Sequence, residues 1–262
     1  MLAMSPARAQ FAGSAYGTPS PVPRTTSVPA LRAMAVRREI EERFTIGLQY
    51  EGAGAWKAAA DEFERIVALH PSEPQGSTAH YDLAIAYSNL GRNGDAAREL
   101  RAAIALDPGF LAAMANLVAV DLARGDLREA RAIADRYVAL APESARALYG
   151  RGLAALWSGD ATTAQRDFGK LLHQNPSYAV AHYDLALAEE RLDRYDAAER
   201  ELRSALALAP AYARARFALG VVLLREGDQA AARNAFAQAA VDAAEDPALE
   251  NIATAMRDSI KI

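Results

Sequence analysis

Four histidines, His70, His80, His173 and His182, are the side chains here best suited to metal ligation or to proton transfer near neutral pH. None stands in an H-E-x-x-H arrangement or in another spacing that gathers ligands on one helix face. His80 and His182 each open the same pentapeptide, His-Tyr-Asp-Leu-Ala, at 80–84 and 182–186, which gives them a packing or groove role within a repeated environment. The carboxylate pairs Asp61/Glu62 and Glu189/Glu190 have the chemistry of an acid–base couple, but their setting reads as a solvated helix face. G-x-S-x-G, phosphate-binding and dinucleotide-binding glycine patterns are all missing. No cysteine is present, which excludes disulfides, thiolate metal sites, iron–sulfur clusters and a cysteine nucleophile. The sequence therefore assigns no catalytic residue, no metal ligand and no cofactor, and an intrinsic enzyme is not expected.

What function there is must come from surfaces, and so from the elements that carry them. Of the 262 residues 63 are alanine, the best helix former, so the composition argues against an all-β fold. The net charge of −4 gives no signal for binding a polyanion. Arginine outnumbers lysine 26 to 3, a bias read first as coding and only second as chemistry. No apolar run reaches the length of a membrane-spanning helix.

The chain is periodic. Pro71, Pro108, Pro142, Pro176 and Pro210 follow one another at intervals of 37, 34, 34 and 34 residues, and the two His-Tyr-Asp-Leu-Ala pentapeptides lie 102 residues apart, three times 34. Six repeats are laid out in register as 40–73, 77–110, 111–144, 145–178, 179–212 and 213–246, with Pro74-Gln75-Gly76 inserted after the first. The twentieth place is alanine in all six: Ala59, Ala96, Ala130, Ala164, Ala198 and Ala232. The eighth is Gly47, Ala84, Val118, Gly152, Ala186 and Gly220; the fifteenth is glycine except at Asp193. A first helix ends at that glycine, a second folds back against it, and small residues let the two approach closely. The large residues Phe63, Leu100, Phe168, Leu202 and Phe236 are expected to fill the space between neighbouring pairs, and the closing proline stops the second helix.

This pattern resembles the tetratricopeptide repeat, W-x2-L-G-x2-Y…A-x3-F…P in 34 residues. The first repeat reads Arg43-x2-Ile46-Gly47-x2-Tyr50…Ala59-x3-Phe63…Pro71. Departures gather in the middle: Asp121 replaces an aromatic, Ala134 a large residue and Arg151 a leucine, so the superhelix is expected to bend or loosen between repeats three and four. The resemblance implies an all-α, right-handed solenoid of six antiparallel helix-turn-helix units over 37–246. Residues 247–262 form a capping helix with Leu249, Ile252, Met256 and Ile260 on one stripe. Residues 1–36 read as a disordered arm rich in proline, serine, threonine and glycine, although Leu31–Glu41 could begin helical.

It further implies a concave face lined by the first helix of each repeat. The fifth place holds Phe44, Tyr81, Ala115, Tyr149, Tyr183 and Phe217; the ninth holds Leu48, Ile85, Ala119, Leu153, Leu187 and Val221. With Asn116 and Trp157 these residues form the candidate peptide-binding groove, and either ligand contact or packing accounts for the aromatics. Arg146, Arg191, Arg214 and Arg225 are candidate contacts for an acidic part of a ligand, against a reading as an arginine-rich exposed face. The lysines and asparagines of a carboxylate clamp do not carry over, and no basic stripe marks a nucleic-acid binder.

The expected function is a non-catalytic scaffold or adaptor that holds a peptide or helix of a partner protein. Alternatives are a self-assembling repeat protein that associates through its ends, with Ile260-Lys261-Ile262 as the feature to watch, or an accessory subunit of a bacterial envelope complex if the chain is exported. Ala7-Arg8-Ala9 matches a signal-peptidase site behind too short an apolar run, so cytoplasmic and periplasmic readings both stay open.

Overall fold

The computed structural model describes residues 27–72 and 74–260, and among them there are thirteen α-helices and no strand. The first repeat pairs α1 (Val28–Gly52) with α2 (Trp56–Ala68), and the second α3 (Gln75–Asn89) with α4 (Asn93–Leu106). The third pairs α5 (Leu111–Arg124) with α6 (Leu127–Leu140), and the fourth α7 (Ala145–Trp157) with α8 (Ala161–Gln174). The fifth pairs α9 (Ala179–Arg191) with α10 (Tyr195–Leu208), and the sixth α11 (Ala213–Glu226) with α12 (Gln229–Asp242). The last helix is α13 (Pro247–Ser259).

The chain divides into two compact halves, Met1–Leu140 and Ala141–Ile262. In the first half each helix from α1 to α6 packs on the next, and in the second half each from α7 to α13 does the same. In that second half the leading, or A, helices also touch one another directly, α7 with α9 and α9 with α11.

What closes each pair is a match of volumes. All six twentieth-place alanines are fully buried. The ring of Phe168 lies over the eighth-place glycine of its own repeat, where a Cβ on Gly152 would meet it at 2.5 Å, and Phe63 over Gly47 and Phe236 over Gly220 repeat the contact at 2.7 Å. The large residue therefore fills space within a pair, which corrects the expectation that it fills space between pairs. Where the eighth place is alanine, at Ala84 and Ala186, the facing residue is leucine, Leu100 and Leu202; where it is Val118, the facing residue is Ala134. The third repeat is thus an inverted pairing, with its bulk on the A helix.

The turn between paired helices needs one residue with positive φ, and the fifteenth place supplies it each time, from Gly54 at 71° to Gly227 at 89°. Asp193 takes the same conformation at φ 58°, held by the Tyr195 hydroxyl, which donates to its Oδ1 at 2.9 Å. Aspartate is among the few L residues that tolerate this region.

The atypical residues of the middle repeats also have partners. Asp121, fully buried, accepts from Arg101 Nη2 at both carboxylate oxygens, 2.9 Å each. Arg151 grips buried Asp167 at 2.6 and 2.8 Å, binding α7 to α8. Asp167 occupies the twenty-third place, and acids there are bound by a basic fourth-place residue in three other repeats: Glu62 by Arg43 at 2.8 Å, Glu99 by His80 at 2.7 Å and Glu201 by His182 at 2.6 Å. The repeated histidines thus clamp the A helix to the second, or B, helix.

Both ends differ from the sequence reading. Helix α1 begins at Val28, inside the segment read as an extended arm, because the Ser27 hydroxyl caps it and Pro29 is tolerated in a first turn. The run from Ala30 to Arg37 then continues it with Val28, Leu31, Met34 and Val36 exposed. Residues 1–26, with the Ala7-Arg8-Ala9 motif, lie outside the described residues. At the other end Pro247 opens α13 as expected, but the packed stripe is Leu249, Ala253, Met256 and Ile260, while Ile252 faces solvent. Ile260 is buried beside Leu223 and Phe236, while Lys261 and Ile262 lie outside the described residues.

The volume match is testable. Gly152→Ala gains helix propensity but forces its methyl into Phe168, and is expected to cost ~1–3 kcal/mol. Adding Phe168→Leu recreates the Ala186–Leu202 pairing and should recover most of that loss, so denaturation of the four proteins of the cycle should be strongly non-additive.

Candidate functional site

The fifth and sixth places of successive A helices build one recurring contact. Asn116 Nδ2 donates to the Tyr81 hydroxyl at 3.2 Å, and the Tyr149 hydroxyl donates to Asp184 Oδ2 at 2.9 Å. In each case a fifth-place tyrosine meets a sixth-place polar side chain of the next repeat. The fifth-place tyrosines pack at a tilt against the aromatic that closes their own repeat: Tyr81 on Phe110 at 4.9 Å, Tyr149 on Tyr178 at 5.4 Å and Tyr183 on Tyr212 at 5.2 Å. The fifth-place phenylalanines pack on the large B-helix residue of their own repeat, Phe44 on Phe63 and Phe217 on Phe236, and Tyr149 makes the same contact with Phe168 at 5.9 Å.

These contacts sort the candidate groove residues. Phe44, Tyr81, Ile85 and Asn116 are buried. In the second half Tyr149, Leu153, Tyr183, Leu187, Phe217 and Val221 are partly exposed, as is Leu48 in the first half, and Trp157 is 49% exposed at the end of α7. Side chains that can offer contact area therefore concentrate on α7, α9 and α11.

Of the four candidate arginines, all exposed, Arg191 donates through Nη1 to the Leu156 carbonyl, placing its charge at the C-terminal end of α7. Arg214 lies 4.0 Å from Asp246. Arg146 and Arg225 stand on the same A helices. Among the described residues no group of three or more histidines, aspartates or glutamates is placed to hold a metal ion, and no helix is long and apolar enough to cross a membrane.

Sequence reasoning passed over Asp184, Tyr178 and Tyr212. Asp184 is buried, and burial raises its pKa to about 6 against the lowering effect of the Tyr149 hydroxyl. Burial, with the Asp184 charge added, raises Tyr149, Tyr178 and Tyr183, and carries Tyr212 to about 12. The signal was present: the thirty-fourth place is aromatic, at Phe110, Tyr178 and Tyr212, in those repeats whose fifth place is tyrosine.

Family models for the tetratricopeptide repeat match residues 44–110, 156–202 and 183–248, and a second such model matches 90–154. No curated protein sequence matches the chain. Among solved structures, a tetratricopeptide repeat protein from Parabacteroides merdae is 17% identical, with 84% of this chain and 98% of that one covered and a TM-score of 0.67. MamA from Desulfovibrio magneticus RS-1 is 21% identical over 66% of this chain and 97% of its own, with a TM-score of 0.61. A chain of the APC/C hetero-tetramer Cut9–Hcn1 is 20% identical over 85% of this chain and 43% of its own, with a TM-score of 0.65. These likenesses concern the fold, and stacked helix pairs of this kind are scaffolds for contact with other proteins.

A carboxyl that holds its proton more tightly when folded favours folding below its unfolded pKa near 4, and that contribution is lost as pH rises through about 6. Asp184→Asn keeps an acceptor for Tyr149 and removes the charge. It should stabilise the protein by up to ~3 kcal/mol at about pH 8 and have little effect at about pH 4, as read from denaturant midpoints.

Proposed function

Because the chain belongs to the tetratricopeptide repeat family, we propose that it is a non-catalytic adaptor that holds a peptide or helical segment of a partner protein in a groove formed by the A helices of its second half. The observation that carries this reading is the row of partly exposed fifth- and ninth-place residues, Tyr149, Leu153, Tyr183, Leu187, Phe217 and Val221, continued by exposed Trp157. Apolar and aromatic area at regular helical spacing suits a segment with anchors at helix or strand intervals. Tyrosine and tryptophan supply that area at small entropic cost. Arg146, Arg191, Arg214 and Arg225 at the margins would favour acidic residues beside the anchors.

A photo-crosslinking residue at Trp157 and another at Val241, 68% exposed on B helix α12, separate this face from the opposite one. In extracts of the native host the probe at 157 should give a discrete adduct and that at 241 none. Adducts at both positions, or only at 241, would remove the groove from consideration.

One observation favours self-association as a second reading: Val28, Leu31, Met34 and Val36 leave an apolar stretch exposed on the leading turns of α1, beside an open cleft of about 710 Å³ lined by Val36, Ile40, Leu69 and Pro71. If this end joins copies, light scattering should show mass rising with concentration, and Leu31→Glu with Met34→Glu should abolish the rise. A concentration-independent monomer would exclude it.

A further inference from the structure

Most buried carboxylates described above are met by cations. Asp121 has Arg101 and Asp167 has Arg151; Glu189 has Arg194 at 3.5 Å and Gln165 at 3.0 Å. Asp184 differs. It is 6% exposed, it accepts one hydrogen bond, from the uncharged Tyr149 hydroxyl to Oδ2, and among the described residues no arginine, lysine or histidine is paired with it. Its surroundings are aromatic. The tilted ring pairs Tyr149–Tyr178 and Tyr183–Tyr212 all lie within electrostatic reach of its charge, and all four rings are partly exposed.

A desolvated carboxylate without a counter-ion works against the fold, and such a group persists where something outside the fold completes it. The faces of tyrosine rings attract cations, and a carboxylate held at the Tyr149 hydroxyl adds its charge to that attraction. We infer that Asp184, with the rings of Tyr149, Tyr178, Tyr183 and Tyr212, is an anchor for one basic side chain, lysine or arginine, of the segment held in the groove. The inference rests on the groove reading above and adds the chemistry of what the groove selects. The exposed arginines of the same helices repel further positive charge, so the recognised pattern is a single basic residue with neutral or acidic neighbours, not a polybasic run.

The test is selection of a displayed library of random dodecapeptides on the full chain, with selected peptides assayed on wild type, on Asp184→Asn and on the protein carrying the photo-crosslinker at 157. Peptides are expected to share one lysine or arginine, to crosslink at 157 and to bind Asp184→Asn at least ~10-fold more weakly. Replacing that lysine or arginine by norleucine should cost wild type the same factor and the variant nothing further, which separates a lost contact from a damaged fold. Peptides that crosslink at 157 without a shared basic residue, or that bind both proteins equally, would overturn the anchor and leave the groove standing. Binders that do not crosslink at 157, or a selection without binders, would overturn both.

Discussion

Everything in this fold depends on the distance at which two helices of a pair can cross, and that distance is set by two side chains. A glycine or alanine on the A helix brings the backbones together, and a ring or leucine on the B helix fills the remaining gap, as at Gly152 and Phe168 or Ala186 and Leu202. Close-packed interiors respond to single methyl groups, so neither residue is free to change alone. The inverted match of Val118 with Ala134 keeps the third repeat within the same constraint. Once the crossing is set, the fourth-place bases and twenty-third-place acids fall within reach of each other, and the tyrosines of successive A helices are brought to the next repeat.

The fold was legible because its signals repeat. Prolines at regular intervals, an invariant twentieth-place alanine and a turn glycine each mark one physical requirement, met six times or nearly so. The ends were less legible because they lack that repetition. The start of α1 rests on a serine cap and local propensity, and the register of α13 turned on Ala253, which a search for large apolar residues passes over. The partners of Asp121 and Arg151 were not legible, because Arg101 and Asp167 stand 20 and 16 residues away.

The candidate site was legible in outline and blurred in detail for a related reason. Place numbers identify which residues sit on the A helices, but whether a fifth-place ring is covered depends on the residue that closes its repeat and on the sixth place of the next one. Tyr81 is buried between Phe110 and Asn116, while Tyr149 and Tyr183 keep some surface in otherwise similar company. Asp184 was hidden by its polarity: an aspartate on an alanine-rich helix reads as exposed until neighbouring rings cover it.

The two kinds of contact also set the frame in which such a gene can grow or shrink. The Gly–Phe, Ala–Leu and Val–Ala matches each lie within one repeat, whereas Tyr81–Asn116 and Tyr149–Asp184 join different repeats. A duplication or deletion bounded by the closing prolines carries every volume match along intact and disturbs only the contacts that join one repeat to the next, such as Tyr81–Asn116 or Arg101–Asp121, at the new junction. One bounded by the turn glycines of adjacent repeats would marry helices from unlike pairs, setting a phenylalanine against an alanine or valine, or leaving a glycine facing an alanine. Viable recombinants should therefore be counted from proline to proline.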